Sequence, residues 1–246
     1  MKNAKAIFKM QLKGTIKNPQ ILFQFIIFPL LAFLMNLVMV TDFEGIPEDI
    51  AEMLAANMPN MVTMQATMFA GMGLIMVIAG FVAVDIEKKS LRFLMMAGVK
   101  PGSYLLGTGG VIFFVSFFTS VAFSFISEFT GADFWIFTAS LMSGITGSIV
   151  LGATIGILTK NQQSASGLSL PIGLLLGFGP MMAQFNDRIA RILHVFYTQQ
   201  LNVVASYLTA GGAETPLWQS FAIMWGNVAV LGVLFAIIFS KKGLVG

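Results

Sequence analysis

Cysteine is absent from this chain, histidine occurs once, and only 10% of the 246 residues carry a charge. Without a thiol there can be no disulfide, no thiolate nucleophile and no Cys-ligated metal. The one histidine, His194, has no second histidine near it in sequence and no carboxylate at metal-site spacing, so it reads as an interfacial side chain rather than a ligand or catalyst. Soluble domains average roughly 25% charged residues. A chain this poor in charge and 57% hydrophobic cannot hide its apolar surface in a water-soluble fold of this length. Lipid must be part of its solvent.

Other reagents are missing too. No Gly-x-x-x-x-Gly-Lys-[Ser/Thr] loop appears, so ATP is not bound by that route. There is no Ser-His-acid set, no His-Glu-x-x-His helix and no pair of intramembrane carboxylates, which leaves membrane-embedded hydrolysis without its groups. The apolar spans contain essentially no Asp, Glu, Lys, Arg or His, which argues against intramembrane proton relays and charged ion sites. Coupling energy, if the chain transports anything, has to come from outside it.

What is abundant is Phe (24), Met (17) and Gly (25), a composition suited to helices packed in a bilayer, where Gly lets backbones approach and lipid accepts large side chains. A helix of about 20 apolar residues spans the hydrocarbon core. That rule places spans at about 21–40, 62–84, 104–127, 135–158, 166–184 and 218–240, and predicts an all-α, six-helix transmembrane bundle forming a single domain over 19–246. The apolar run at 21 lacks a small-residue cleavage pattern and reads as a signal anchor.

The basic residues sort by side. With the N-terminus inside, twelve of them (Lys2, Lys5, Lys9, Lys13, Lys17, Lys88, Lys89, Arg92, Lys100, Lys160, Lys241, Lys242) lie on the cytoplasmic side and two (Arg188, Arg191) outside. The positive-inside rule therefore predicts that both termini are cytoplasmic. The sorting also accounts for the net charge of +3 without invoking nucleic acid.

Residues 1–18 place Lys2, Lys5, Lys9, Lys13 and Lys17 along one helical stripe, with Ala4, Ile7, Phe8 and Met10 facing away, the pattern of a segment lying on the inner leaflet. It reads either as an elbow helix steering the first span or as a basic flank that sets topology. Pro47, Glu48 and Asp49 match the start of a short external helix over about 47–57. The longest external connection, 186–217, is amphipathic through Ile189, Ile192, Leu193, Phe196, Leu201, Val204 and Leu208. It is predicted to lie at the outer interface or to dip into it.

The cytoplasmic connection 85–107 carries the most information. Ser90 to Ala97 reads as a short helix that mixes charge with Leu91, Phe93, Leu94, Met95 and Met96 and stops at Gly98, ahead of Pro101 and Gly102. Such a segment must lie on lipid or fill a groove on another protein. An acidic residue followed by two charged residues, a Leu-rich helix, a small-residue turn and Tyr104-Leu105-Leu106-Gly107 opening the next span resembles the signature of ABC type-2 exporter permeases. Many members have proline where this chain has Gly98, and lysine where it has Thr108. In that family the segment is the coupling helix that docks on a separate ATP-binding subunit. The resemblance implies Glu87, Lys88 and Lys89 as the charged lead-in, Leu91 and Leu94 as the docking face and Tyr104 as the start of span three. It also implies ATP and Mg bound by the partner subunit rather than by this chain, a second permease copy or sister permease, and a bacterial or archaeal plasma membrane.

Two further stretches are similar to the family: the polar bridge Thr159 to Ala165, and the breakers Pro171, Gly179 and Pro180 in span five. Pro171 removes a backbone hydrogen bond, and Gly179-Pro180 is expected to end the helix near the outer surface. These breakers serve either a gate or a packing kink. Small polar groups at Asn36, Gln65, Thr67 and Asn227 are candidates to line an otherwise apolar path. The implied function is export of a hydrophobic or amphipathic compound (a drug, an antimicrobial peptide or a lipid-like molecule); the alternative is an ion-coupled secondary transporter or channel. Glycines at helix-contact spacing (Gly71, Gly73, Gly80; Gly152, Gly156; Gly173, Gly177) are predicted to bring helices together within one chain or across a dimer.

Overall fold

In the computed structural model, residues 2–40, 61–210 and 216–244 are described; the external helix expected over 47–57 lies outside them. Every described element is a helix: α1 Lys2–Lys17, α2 Pro19–Val40, α3 Met61–Glu87, α4 Ser90–Met96, α5 Pro101–Ile126, α6 Gly131–Leu158, α7 Gln162–Ala183, α8 Asp187–Leu193, α9 Tyr197–Ala210 and α10 Leu217–Leu244. Five of these (α3, α5, α6, α7 and α10) are long and apolar enough to cross a membrane, and there are six crossings if α1 and α2, bent by 65° at their junction, count as one unit. The chain is a multi-pass helical membrane protein.

α6 is the centre, packing against α3, α5, α7, α9 and α10. Its sequence explains that position. A Cβ at Gly152 would stand 2.8 Å from the Ile75 carbonyl oxygen, and one at Gly156 would stand 2.7 Å from that of Ala79. α3 and α6 therefore meet backbone to backbone, and their glycines serve contacts inside one chain. Gly173 and Gly177 of α7 face Met72 of α3 in the same manner.

At mid-length α3 widens into a π turn, Phe69–Gly73, where the Leu74 N–H reaches back five residues to the Phe69 carbonyl. Phe69 fills an aromatic cluster with Phe25, Phe28 and Phe123 at centroid distances of 5.6 to 5.9 Å. Gly71 faces the backbone of Leu176 and Gly177, where a Cβ would sit at 2.8 Å.

By contrast α2, α5 and α10 expose apolar side chains, among them Phe33, Phe113, Phe114, Phe118, Trp225 and Val233. Surfaces of this extent are solvated by hydrocarbon rather than water.

α7 corrects one expectation. Its helix runs unbroken through Pro171 and Pro180 to Ala183. Gly179 lacks the Cβ that would collide with the Pro180 ring, so the residue before the proline can stay helical. Pro171 sits on an exposed face.

The connection after α7 dips inward instead of lying flat. The Asn186 side chain caps α8, accepting from the Arg188 and Ile189 N–H groups at 2.9 and 3.4 Å. Tyr197, Leu201, Val204 and Ala205 bury one side of α9, which packs on α6, α7 and α10.

Candidate functional site

At the lysine-rich end, four elements meet on one carboxylate. Asp85, two residues before the end of α3, is buried. Its Oδ2 accepts from the Tyr104 hydroxyl of α5 at 2.7 Å and from Gln11 Nε2 of α1 at 3.1 Å, while its Oδ1 accepts from Ser90 Oγ of α4 at 3.0 Å. A buried carboxylate is tolerable only with such donors around it. Here the donors come from three different helices, so the charge ties α1, α4 and α5 to the end of α3.

The approach of α1 to this hub is written at four-residue spacing. Ile7, Gln11 and Thr15 are its buried positions, while Lys5, Lys9, Lys13 and Lys17 stay exposed. Met10, grouped with Ile7 and Phe8 opposite the lysine stripe, is exposed, and the axis of the inward stripe runs through Gln11.

α4 is held rigidly for so short a helix. Lys89 turns the chain in the left-handed region at φ 59°. At the other end the Gly98 N–H bonds the Met95 carbonyl and the Val99 N–H bonds that of Leu94, at 2.9 and 3.0 Å. With Gly98 at φ 77° and Val99 buried, this is a Schellman stop of the kind Gly98 predicts.

The structure redistributes the residues expected to dock. Leu91 is only 3% exposed, in the chain's own core, and Leu94 is half-buried. Leu91 thus packs into the chain's own bundle, and Leu94 lies at its edge. The apolar side chains left outward on α4 are Phe93 and Met96, at 65% and 66% exposure. Tyr104 is likewise internal, donating to Asp85 and lying 5.7 Å from the Phe239 ring of α10. Lys88 and Lys89 are exposed, as is Glu87, whose Oε2 accepts from the Gln162 N–H at 3.3 Å and so links α3 to the start of α7. Asn161 and Ser164 close a capping box there. Glu87, Asn161, Gln162, Gln163 and Ser166 border an open recess at this end.

Each of the expected polar pathway residues is engaged in a local hydrogen bond. Asn36 Nδ2 donates to the Ile126 carbonyl at 3.0 Å, Gln65 Nε2 to Met35 Sδ at 3.3 Å, and Thr67 Oγ1 to the Thr63 carbonyl at 3.1 Å. Asn227 Nδ2 donates to the Val195 and Ile223 carbonyls, each at 2.8 Å. Each joins or braces helices locally. Pro171 is exposed, whereas Gly179 and Pro180 are buried, and a Cβ at Gly179 would come within 2.9 Å of Leu193.

A second polar junction lies at the π turn. The carbonyl of Ala70 accepts from Ser148 Oγ of α6, and that hydroxyl is 2.9 Å from the Tyr197 hydroxyl of α9. With the serine proton directed to the carbonyl, Tyr197 is the donor to serine. The Tyr197 ring lies against Gly147, where a Cβ would stand 3.1 Å away. One hydroxyl thus joins the irregular turn of α3, the central helix and the inward-dipping helix.

Among the described residues no group of three His, Asp or Glu side chains could hold a metal. Asp85, Gln11 and Tyr197 were not identifiable as a site from sequence. Asp85 stands beside the charged run Glu87-Lys88-Lys89, and only the Ile7-Gln11-Thr15 spacing signals that an inward polar group awaits a partner. The chain matches no protein-family model and no curated protein sequence.

Proposed function

We propose that this chain is the membrane-spanning subunit of an ATP-driven exporter of the ABC type-2 kind, with α1 as its elbow helix and α4 as its coupling helix. The carrying observation is α4 itself: a seven-residue helix fixed at both ends that turns Phe93 and Met96 outward at the lysine-rich end. A short capped helix with two large exposed apolar side chains, carrying Arg92 and preceded by Lys88 and Lys89, suits a groove on a protein partner. On this reading the partner is a separate ATP-binding subunit that holds ATP and Mg, and the lysine-rich end is cytoplasmic. A second permease copy or a sister permease completes the assembly, and the cargo is a hydrophobic or amphipathic compound.

Asp85 is the observation that favours the alternative, an ion-coupled carrier, since a buried carboxylate can carry a proton. Its three donors are all static side chains at the end of a span, the arrangement of a structural tie.

The test is purification of the tagged full chain from its native host together with any bound ATPase. A stoichiometric, ATP-hydrolysing subunit should co-purify with the wild type and be lost from a Phe93→Asp, Met96→Asp double variant that keeps the wild-type melting temperature. Full retention of the ATPase by that variant would overturn the α4 assignment. Transport by the chain alone on a proton gradient, abolished by Asp85→Asn, would replace the exporter reading with the carrier.

A further inference from the structure

Between α1, the first turns of α2, the lysine-rich half of α3 and the start of α7 lies a cavity of about 400 Å³, within the usual size range of small-molecule sites. Its long wall is one stripe of α3, carrying Met76, Gly80, Phe81, Val84, Asp85 and Lys88. At three- and four-residue spacing these residues follow one another along a single helix face, so their order in the chain is their order along the cavity. The stripe is apolar from Met76 to Val84 and turns polar only at Asp85 and Lys88. From Met76 to Asp85 the helix rises about 14 Å, close to half of the roughly 30 Å hydrocarbon core. The wall therefore has the depth of one leaflet. Two glycines keep the space open: nothing lies within 4 Å of a Cβ at Gly14, and the nearest atom to one at Gly80 is the Gln162 amide nitrogen at 3.9 Å.

Hydrogen bonds gather the other helices at the polar end. Gln11 of α1 donates to Asp85 at 3.1 Å, and the Gln162 N–H of α7 reaches Glu87 at 3.3 Å. Asp85 is the one carboxylate among the described lining residues, and three donors of the chain itself already surround it. Three exposed lysines outnumber it: Lys88, one turn further along α3, and Lys13 and Lys17, the chain neighbours of the lining residues Gly14 and Asn18 on α1. α1 carries no acidic residue, so its lysines repel one another at four-residue spacing. An apolar wall one leaflet deep that ends among surplus cations fits a lipid tail joined to an anionic head.

We propose that this cavity seats one acyl chain of an anionic phospholipid from the adjoining leaflet, with the chain along Met76 to Val84 and the phosphate among Lys13, Lys17 and Lys88. The long lysine stems let the ammonium groups close on a phosphate at headgroup level while the tail stays in hydrocarbon. Bound there, the lipid bridges α1, α3 and α7 and stabilises the chain. The site is a property of the chain alone and stands whether or not an ATPase docks on α4.

The test uses the purified full chain in neutral maltoside micelles, with affinity read from the ligand-dependent rise in melting temperature. Dioctanoyl phosphatidylglycerol is set against dioctanoyl phosphatidylcholine, which has the same chains without the net charge, and against glycerol phosphate, which has no chains. Phosphatidylglycerol should bind at least about tenfold more tightly than phosphatidylcholine, and glycerol phosphate should leave the melting temperature unchanged. The preference should vanish in a Lys13→Gln, Lys17→Gln, Lys88→Gln variant. It should persist in Lys5→Gln, Lys100→Gln, Lys241→Gln, which removes the same charge from residues that neither line the cavity nor neighbour its lining. Gly80→Leu fills the cavity from a position with room for a side chain and should weaken both lipids. Equal affinity for the two lipids, an equal loss of preference in the two triple variants, a glycerol phosphate response matching that of the lipid, or full phosphatidylglycerol binding by Gly80→Leu would each overturn the site.

Discussion

A phenol proton pointed at a buried carboxylate is worth more than one pointed at water, because in the interior neither group has solvent to fall back on. Tyr104→Phe removes the 2.7 Å bond to Asp85 while preserving ring volume, and should destabilise the fold by about 1.5–3 kcal/mol, the usual range for a bond to a charged group. Chemical denaturation in micelles measures it. Steric substitutions are as specific: Gly156→Ala forces a methyl to within 2.7 Å of the Ala79 carbonyl and should cost about 1–3 kcal/mol. Gly167→Ala, with nothing within 4 Å, should leave the melting temperature unchanged. Gly152, Gly156, Gly173 and Gly177 could be picked out in sequence by their four-residue spacing, whereas Asp85 could not. Its neighbours Glu87, Lys88 and Lys89 are exposed, and the hydrogen-bond partners that set it apart come from residues 11, 90 and 104. Local sequence cannot state which distant donors will arrive.

Helix by helix, the ends were easier to read than the interiors. Gly98 announces the end of α4, and the lysine stripe announces the exposed face of α1, because caps and charges act locally. Leu91 and Phe93 are both large and apolar in the same short helix, and only the positions of α3 and α10 decide which is buried. The π turn is the least legible element, since Phe69–Gly73 contains nothing an ordinary helix lacks; its width is imposed by neighbours on both sides. Ser148→Ala tests that junction by removing the donor to Ala70 and leaving Tyr197 without its acceptor. Amide exchange in 197–210 should rise at least tenfold, with α10 little affected; unchanged exchange would mean that apolar packing alone retains α9.

For the whole molecule, the charge sorting that predicts orientation can be tested with unusual economy, because a natural chain without cysteine needs no background mutations. Lys88→Cys and Arg188→Cys, both at exposed positions, should label with a membrane-impermeant maleimide from opposite sides: the second in intact cells, the first only after permeabilisation. Labelling of both from one side would refute the oriented map. The existence and approximate limits of five spans follow from apolar run length alone, but the order in which they pack does not, and α6 becomes central only through its contacts with α3, α5, α7, α9 and α10. The irregular turn in α3 adds a constraint on that assembly. Each residue advances a regular helix by about 100°, so a five-residue turn in place of a tighter one leaves the two halves of α3 in separate angular registers: one aims Phe69 at its aromatic cluster, the other aims Asp85 at Gln11 and Tyr104. Deleting a single residue between Phe69 and Gly73 would make α3 a more regular helix and a misdirected one, with one end or the other rotated away from all of its partners.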